Sequence, residues 1–102
     1  MISLDWIKLC ATGQLYRYSR HGDRERQNDL LTLEEVEQAL LNGRIIEQYP
    51  DTSRGESCLL AGFTDLGKPV HVVCGGMDEW MVIVTVYVPT PPKFKNPYER
   101  GN

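Results

Sequence analysis

The period of the apolar positions changes near Arg44. Before it, apolar residues recur at helical spacing. In the first segment they fall at Ile2, Trp6, Ile7, Leu9 and Cys10, which predicts a short amphipathic helix over 2–12. Ser3 is placed to cap its start and Gly13 to end it. Leu15, Tyr16 and Tyr18 make a short extended piece. Ser19 then caps a polar helical stretch from Arg20 to about Asn28, and Asn28-Asp29 reads as a turn. The clearest local signal follows. Thr32 and Glu35 form a capping box, each side chain reaching the other's backbone N–H. Leu33, Val36, Ala39 and Leu40 share one face of the helix it starts, and Gly43 suits the left-handed position after it.

After Arg44 the pattern is that of strands. Four runs are rich in β-branched and aromatic residues: 44–49, 57–64, 69–74 and 80–88. Pro50-Asp51, then 65–68, then 75–78 read as the turns between them. Short connections without a crossover helix predict an antiparallel meander. The last run is apolar at both parities through its middle, as a strand covered on both faces is. Pro89, Pro91 and Pro92 end it. The expected fold is α+β, with N-terminal helices packed on a four-stranded antiparallel sheet. Residues 1–92 are expected to form the single domain, and 93–102 a polar C-terminal tail, mobile or held by a partner.

Composition narrows the class. At 102 residues, 41% hydrophobic and 25% charged, the chain suits one globular domain with one core. A net charge of −3 argues against a dedicated nucleic-acid binder, although Arg17, Arg20, Arg24 and Arg26 lie close together. That group reads equally well as a solvated helix face. Three cysteines without a CxxC spacing favour neither a disulfide framework nor a zinc site. The start lacks a basic stretch followed by a long apolar run. The expectation is a cytoplasmic protein with no membrane association, no metal and no cofactor.

Candidate chemistry rests on two histidines. His21 stands just after the Ser19 cap, with Arg24 and Glu25 one helical turn on. Imidazole beside guanidinium can bind a phosphate and move a proton near neutral pH. An exposed histidine paired with Glu25 explains the same residues. His71 stands inside an apolar strand, with Val70 and Val72 pointing to the opposite face. Thr85 and Tyr87 share one parity on the next strand and are placed to line the His71 face. A structural histidine bonded to a neighbouring hydroxyl is the plainer account. Glu47 and Tyr49 share a parity on the first strand, where a carboxylate can act as base, orient an imidazole or simply protect an edge.

The ordered set Tyr18-Ser19-Arg20-His21, the Thr32 box, 42–51, 58–62, 68–73 and 84–89 resembles the bacterial family called domain of unknown function 4258. Its members look like relatives of the RelE and BrnT toxins, often encoded beside a small zinc-finger protein of the antitoxin type. The resemblance implies a RelE/barnase-like fold and metal-independent cleavage of RNA. The ending here departs from the family's aromatic, basic one, since Phe94, Lys95 and Arg100 are followed only by Gly101 and Asn102. On that reading His21, His71, Glu47 and Tyr87 are the catalytic candidates, and Arg24, Arg26 and Thr85 bind the substrate. The alternative is a non-catalytic protein-binding module that uses the sheet edge or the tail.

Overall fold

The computed structural model describes residues 1–50, 55–77, 79–91 and 94–101. Three helices come first: α1 (Leu4–Thr12), α2 (Arg20–Asn28) and α3 (Leu33–Asn42), with β1 (Tyr16–Tyr18) between α1 and α2. Then follow β2 (Arg44–Tyr49), β3 (Ser57–Phe63), β4 (Pro69–Met77) and β5 (Trp80–Tyr87), and last the short β6 (Phe94–Asn96) and β7 (Glu99–Arg100).

The expected caps form. Ser3 accepts from the Trp6 N–H, Ser19 from the Gly22 N–H, and Thr32 and Glu35 close the reciprocal box. Helix exits differ from expectation. The left-handed residue after α1 is Gln14 (φ 54°) rather than Gly13, and the one after α2 is Leu30 (φ 57°). Each sits in a double hydrogen-bonded exit, with Leu15 N–H on the Cys10 carbonyl and Leu31 N–H on that of Arg26. Gly43 is extended, not left-handed (φ −79°, ψ 176°). It is needed for closeness instead: a Cβ there would lie 2.5 Å from Leu60 Cδ2 and 2.7 Å from the Ala39 carbonyl oxygen.

The sheet corrects the expected one. It has five strands in the order β1-β5-β4-β3-β2, and it is mixed: β1 runs parallel to β5, with Tyr16 opposite Met81 and Tyr18 opposite Ile83. The four later strands are antiparallel neighbours, as the meander pattern requires. The extended piece at Tyr16–Tyr18 is there as expected, but its place in the sheet was hidden, because three residues carry no periodicity and their partner β5 lies far along the chain. The expected turn at 75–78 also moves. Gly75, Gly76 and Met77 are paired in β4, and Asp78 lies outside the described residues. Asp51, in the expected turn after β2, lies outside them as well.

One face of the sheet meets the helices. Ile7, Cys10 and Ala11 of α1 and Val36, Ala39 and Leu40 of α3 pack with Cys58, Leu60, Val72, Cys74, Ile83 and Val86. Each large side chain buried this way contributes about 1.5–3 kcal/mol. All three cysteines are free and buried, and the Cys58 and Cys74 sulfurs lie 3.9 Å apart in the core. No helix is long and apolar enough to cross a membrane among the described residues.

Candidate functional site

The second face of the sheet carries the polar residues. Its side chains fall in rows across the strands. One row is Arg44, Ala61, His71 and Tyr87, and the next is Glu47, Leu59, Val73 and Thr85. Arg44 and Glu47 are three residues apart and would face opposite ways in a regular strand. A bulge between Ile45 and Glu47 puts both on this face. A second irregularity, between Val73 and Cys74, lets Thr85 and Tyr87 share it while Ile83 still faces the helices.

Residues 94–101, within the stretch expected as a polar tail, lie across this face. β6 and β7 form a hairpin, with Phe94 opposite Arg100. His71 is fully buried beneath it. The His71 Nε2 lies 2.5 Å from the Pro97 carbonyl oxygen, and its Nδ1 lies 3.3 Å from the Tyr87 hydroxyl. A carbonyl only accepts, so Nε2 carries the proton. In the neutral ring Nδ1 then accepts from Tyr87. The two rings meet edge to face, with centroids 5.3 Å apart.

Glu47 anchors the other strand of the hairpin. Its carboxylate accepts from Arg100 Nε at 2.6 Å, from Arg100 Nη2 at 2.8 Å and from the Tyr49 hydroxyl at 2.6 Å. The Arg100 hydrogen bonds outweigh partial burial and, helped by Tyr49, hold the Glu47 carboxyl down to about 2. Burial and the adjacent carboxylate push Tyr49 up to about 12, and burial also raises Tyr87. Arg44 stacks on the Tyr98 ring, 3.6 Å from its centroid, and Phe63 meets the same ring edge to face at 5.9 Å.

The structure thus gathers His71, Glu47, Tyr87 and Thr85 of the sequence-predicted site residues on one face. It does not gather the α2 residues with them. His21 is exposed at the start of α2. Arg24 lies beside a shallow surface depression with Arg20, Asp23 and Gln27. Arg26 is spent on structure: it donates to Asp23 at 2.9 Å and to the Leu31 carbonyl at 2.8 Å, and its charge lies over the Tyr18 ring. α2 meets the sheet along β5, where the Ser19 hydroxyl donates to the Val84 carbonyl and Asp29 accepts from the Val88 N–H. Sequence reasoning missed Arg44 and Tyr98, and did not place Arg100 in a site. The bulge that turns Arg44 toward the face and the hairpin that carries Arg100 leave no periodic signal. Among the described residues no cluster of His, Cys, Asp and Glu is arranged to hold a metal.

Helices on one face of a mixed sheet, with a buried histidine and paired charges on the other, define a small α+β protein with a polar strand-borne site. The chain belongs to the family described as "Domain of unknown function (DUF4258)", whose model matches residues 18–88. No curated protein and no solved structure matches it. Arg44, Glu47, His71, Thr85 and Tyr87 lie inside the matched span, and the hairpin that covers them lies beyond it.

Proposed function

We propose that the polar face of the sheet is the site of a metal-independent RNA endonuclease of the toxin–antitoxin kind, with a RelE-like fold. The observation that supports this most is the convergence of an imidazole, a phenol and two guanidinium groups, from Arg44 and Arg100, on one side of β2, β4 and β5. In this reading the 2′-hydroxyl attacks the adjacent phosphorus. The new 2′-O–P bond forms as the bond to the 5′-oxygen breaks, leaving a cyclic phosphate. Arg44 and Arg100 stabilise the phosphorane charge. Tyr87 takes the 2′-hydroxyl proton as it passes its own to Nδ1 of the buried His71 behind it, and the leaving 5′-oxygen takes a proton from solvent water. Glu47 is an anchor for Arg100 rather than a base, since a carboxyl held near 2 takes up protons poorly at neutral pH. The hairpin must move for RNA to reach Tyr87. A zinc-finger protein of the antitoxin type is the expected partner, and the bacterial cytoplasm the expected setting.

The test is cleavage of structured and single-stranded RNA in the presence of a chelator. The wild-type chain should cut and leave cyclic phosphate ends. Tyr87→Phe should cut about a hundredfold more slowly, at the low end for loss of a proton-transfer group. Cleavage equally fast in Tyr87→Phe and His71→Ala would sink the mechanism.

A second reading is favoured by one observation. His71 has no exposed surface and both its nitrogens are engaged, as in a latch that pins the hairpin. The chain would then be a non-catalytic protein-binding module. No cleavage by the wild-type chain or by Glu47→Gln, in which the hairpin loses its anchor while Arg44 and Arg100 are kept, is the outcome this reading expects.

A further inference from the structure

On the far side of the molecule from β2, the sheet ends in β1, and that edge has its own chemistry. In the parallel pairing with β5, the Met81 N–H donates to the Leu15 carbonyl and the Ser19 N–H to the Ile83 carbonyl. The ladder therefore uses the backbone of Leu15, Arg17 and Ser19. The N–H and C=O groups of Tyr16 and Tyr18 point the other way, off the sheet. β1 is the last strand of the sheet on that side, and among the described residues no turn or loop backbone bonds to them. An open row of this kind is a template for another strand.

Beside this edge runs a groove of about 650 Å³ between β1 and α3, lined among others by Tyr16, Tyr18, Leu33, Glu34, Glu37 and Leu41. Its walls are apolar and acidic together. Leu33 and Leu41 are exposed. Glu37 accepts from the Tyr16 hydroxyl at 2.5 Å, and the two tyrosine rings meet edge to face at 6.4 Å. Among the described residues that line the groove there is no lysine or arginine. The Tyr18 hydroxyl is buried and has no hydrogen-bond partner among the described residues. A buried polar atom left unpaired costs stability, which an incoming partner group can relieve.

We propose that β1 and the α3 groove dock an extended, basic segment of a partner polypeptide. The segment adds a strand to β1 through the Tyr16 and Tyr18 backbone. Alternate side chains then enter the groove, where Lys or Arg meets Glu34, Glu37 and the tyrosine faces. This does not depend on any activity of the His71 face. The charge of the groove selects the occupant: a second copy of this chain would bring its own Glu34 and Glu37 toward the same pair.

Two short synthetic peptides test it, one alternating Arg with Val and one alternating Glu with Val. The Arg peptide should bind saturably, more weakly at high salt, and slow amide exchange at Tyr16 and Tyr18. The double variant Glu34→Gln/Glu37→Gln should weaken binding at least about tenfold, as expected from losing two charge contacts. The new amide at position 37 can still accept from Tyr16, and an unchanged melting temperature confirms that the variant is folded. Absent binding, equal binding of the Glu peptide, protection elsewhere than β1, or concentration-dependent self-association through β1 would each overturn the proposal.

Discussion

At the scale of single residues, the site is decided by two groups whose burial differs from their chemistry. His71 is a polar ring in an apolar strand, and the sequence showed that much through Val70 and Val72 alone. Its partners were not legible together: Tyr87 was, through shared parity, but the Pro97 carbonyl comes from a proline-flanked stretch with no pattern. Glu47 was legible as a strand carboxylate, and its partner Arg100 was not, because nothing local relates positions that far apart. Their pairing sets a pH dependence. The Glu47 carboxyl is lowered from 4.5 to about 2 in the folded chain, first by the Arg100 hydrogen bonds. A depressed carboxyl stabilises the structure fully above its unfolded value and loses that contribution as pH falls. The hairpin should therefore release between about pH 4.5 and 2, seen as collapse of the Arg100 Nε–H resonance. In Glu47→Gln the resonance should already be averaged at neutral pH. A signal unchanged through the whole acid range would contradict the anchoring role.

At the scale of elements, local rules served well at helix starts and poorly at helix ends. Caps depend on one side chain and two or three neighbours, so Ser3, Ser19 and Thr32 could be read directly. Exits depend on where the chain goes next. After α2 the chain must turn back for Leu31 to enter the core, and this forces the left-handed conformation on Leu30, whose side chain is 83% exposed. A left-handed non-glycine residue costs about 1–2 kcal/mol, and glycine avoids it. Leu30→Gly should accordingly raise stability by about 1 kcal/mol, since no packing is lost and the extra freedom of glycine in the unfolded chain offsets part of the gain. Chemical denaturation would check this; a variant less stable than the wild type would mean that Leu30 makes contacts its exposure does not suggest.

At the scale of the whole molecule, the strand runs were legible as a sheet, and its two-sidedness was legible in the parity of Val70, Val72 and Cys74 against His71. The extra parallel strand and the hairpin over the second face were not. Both depend on pairing between chain segments that are distant in sequence, which composition and period do not report. The consequence is a divided Arg supply. The α2 arginines, close in sequence and prominent there, lie along β5, while Arg44 and Arg100 reach the polar face from opposite ends of the strand region. The family match covers the strand half of that site and leaves the hairpin outside the matched span.

The most direct measurement is a resonance map of the ¹⁵N-labelled chain titrated with a short single-stranded RNA. Shifts are expected at Arg44, His71, Tyr87 and Arg100, accompanied by loosening of the 94–100 hairpin. Shifts confined to α2 around His21 and Arg24, or none at all, would contradict it.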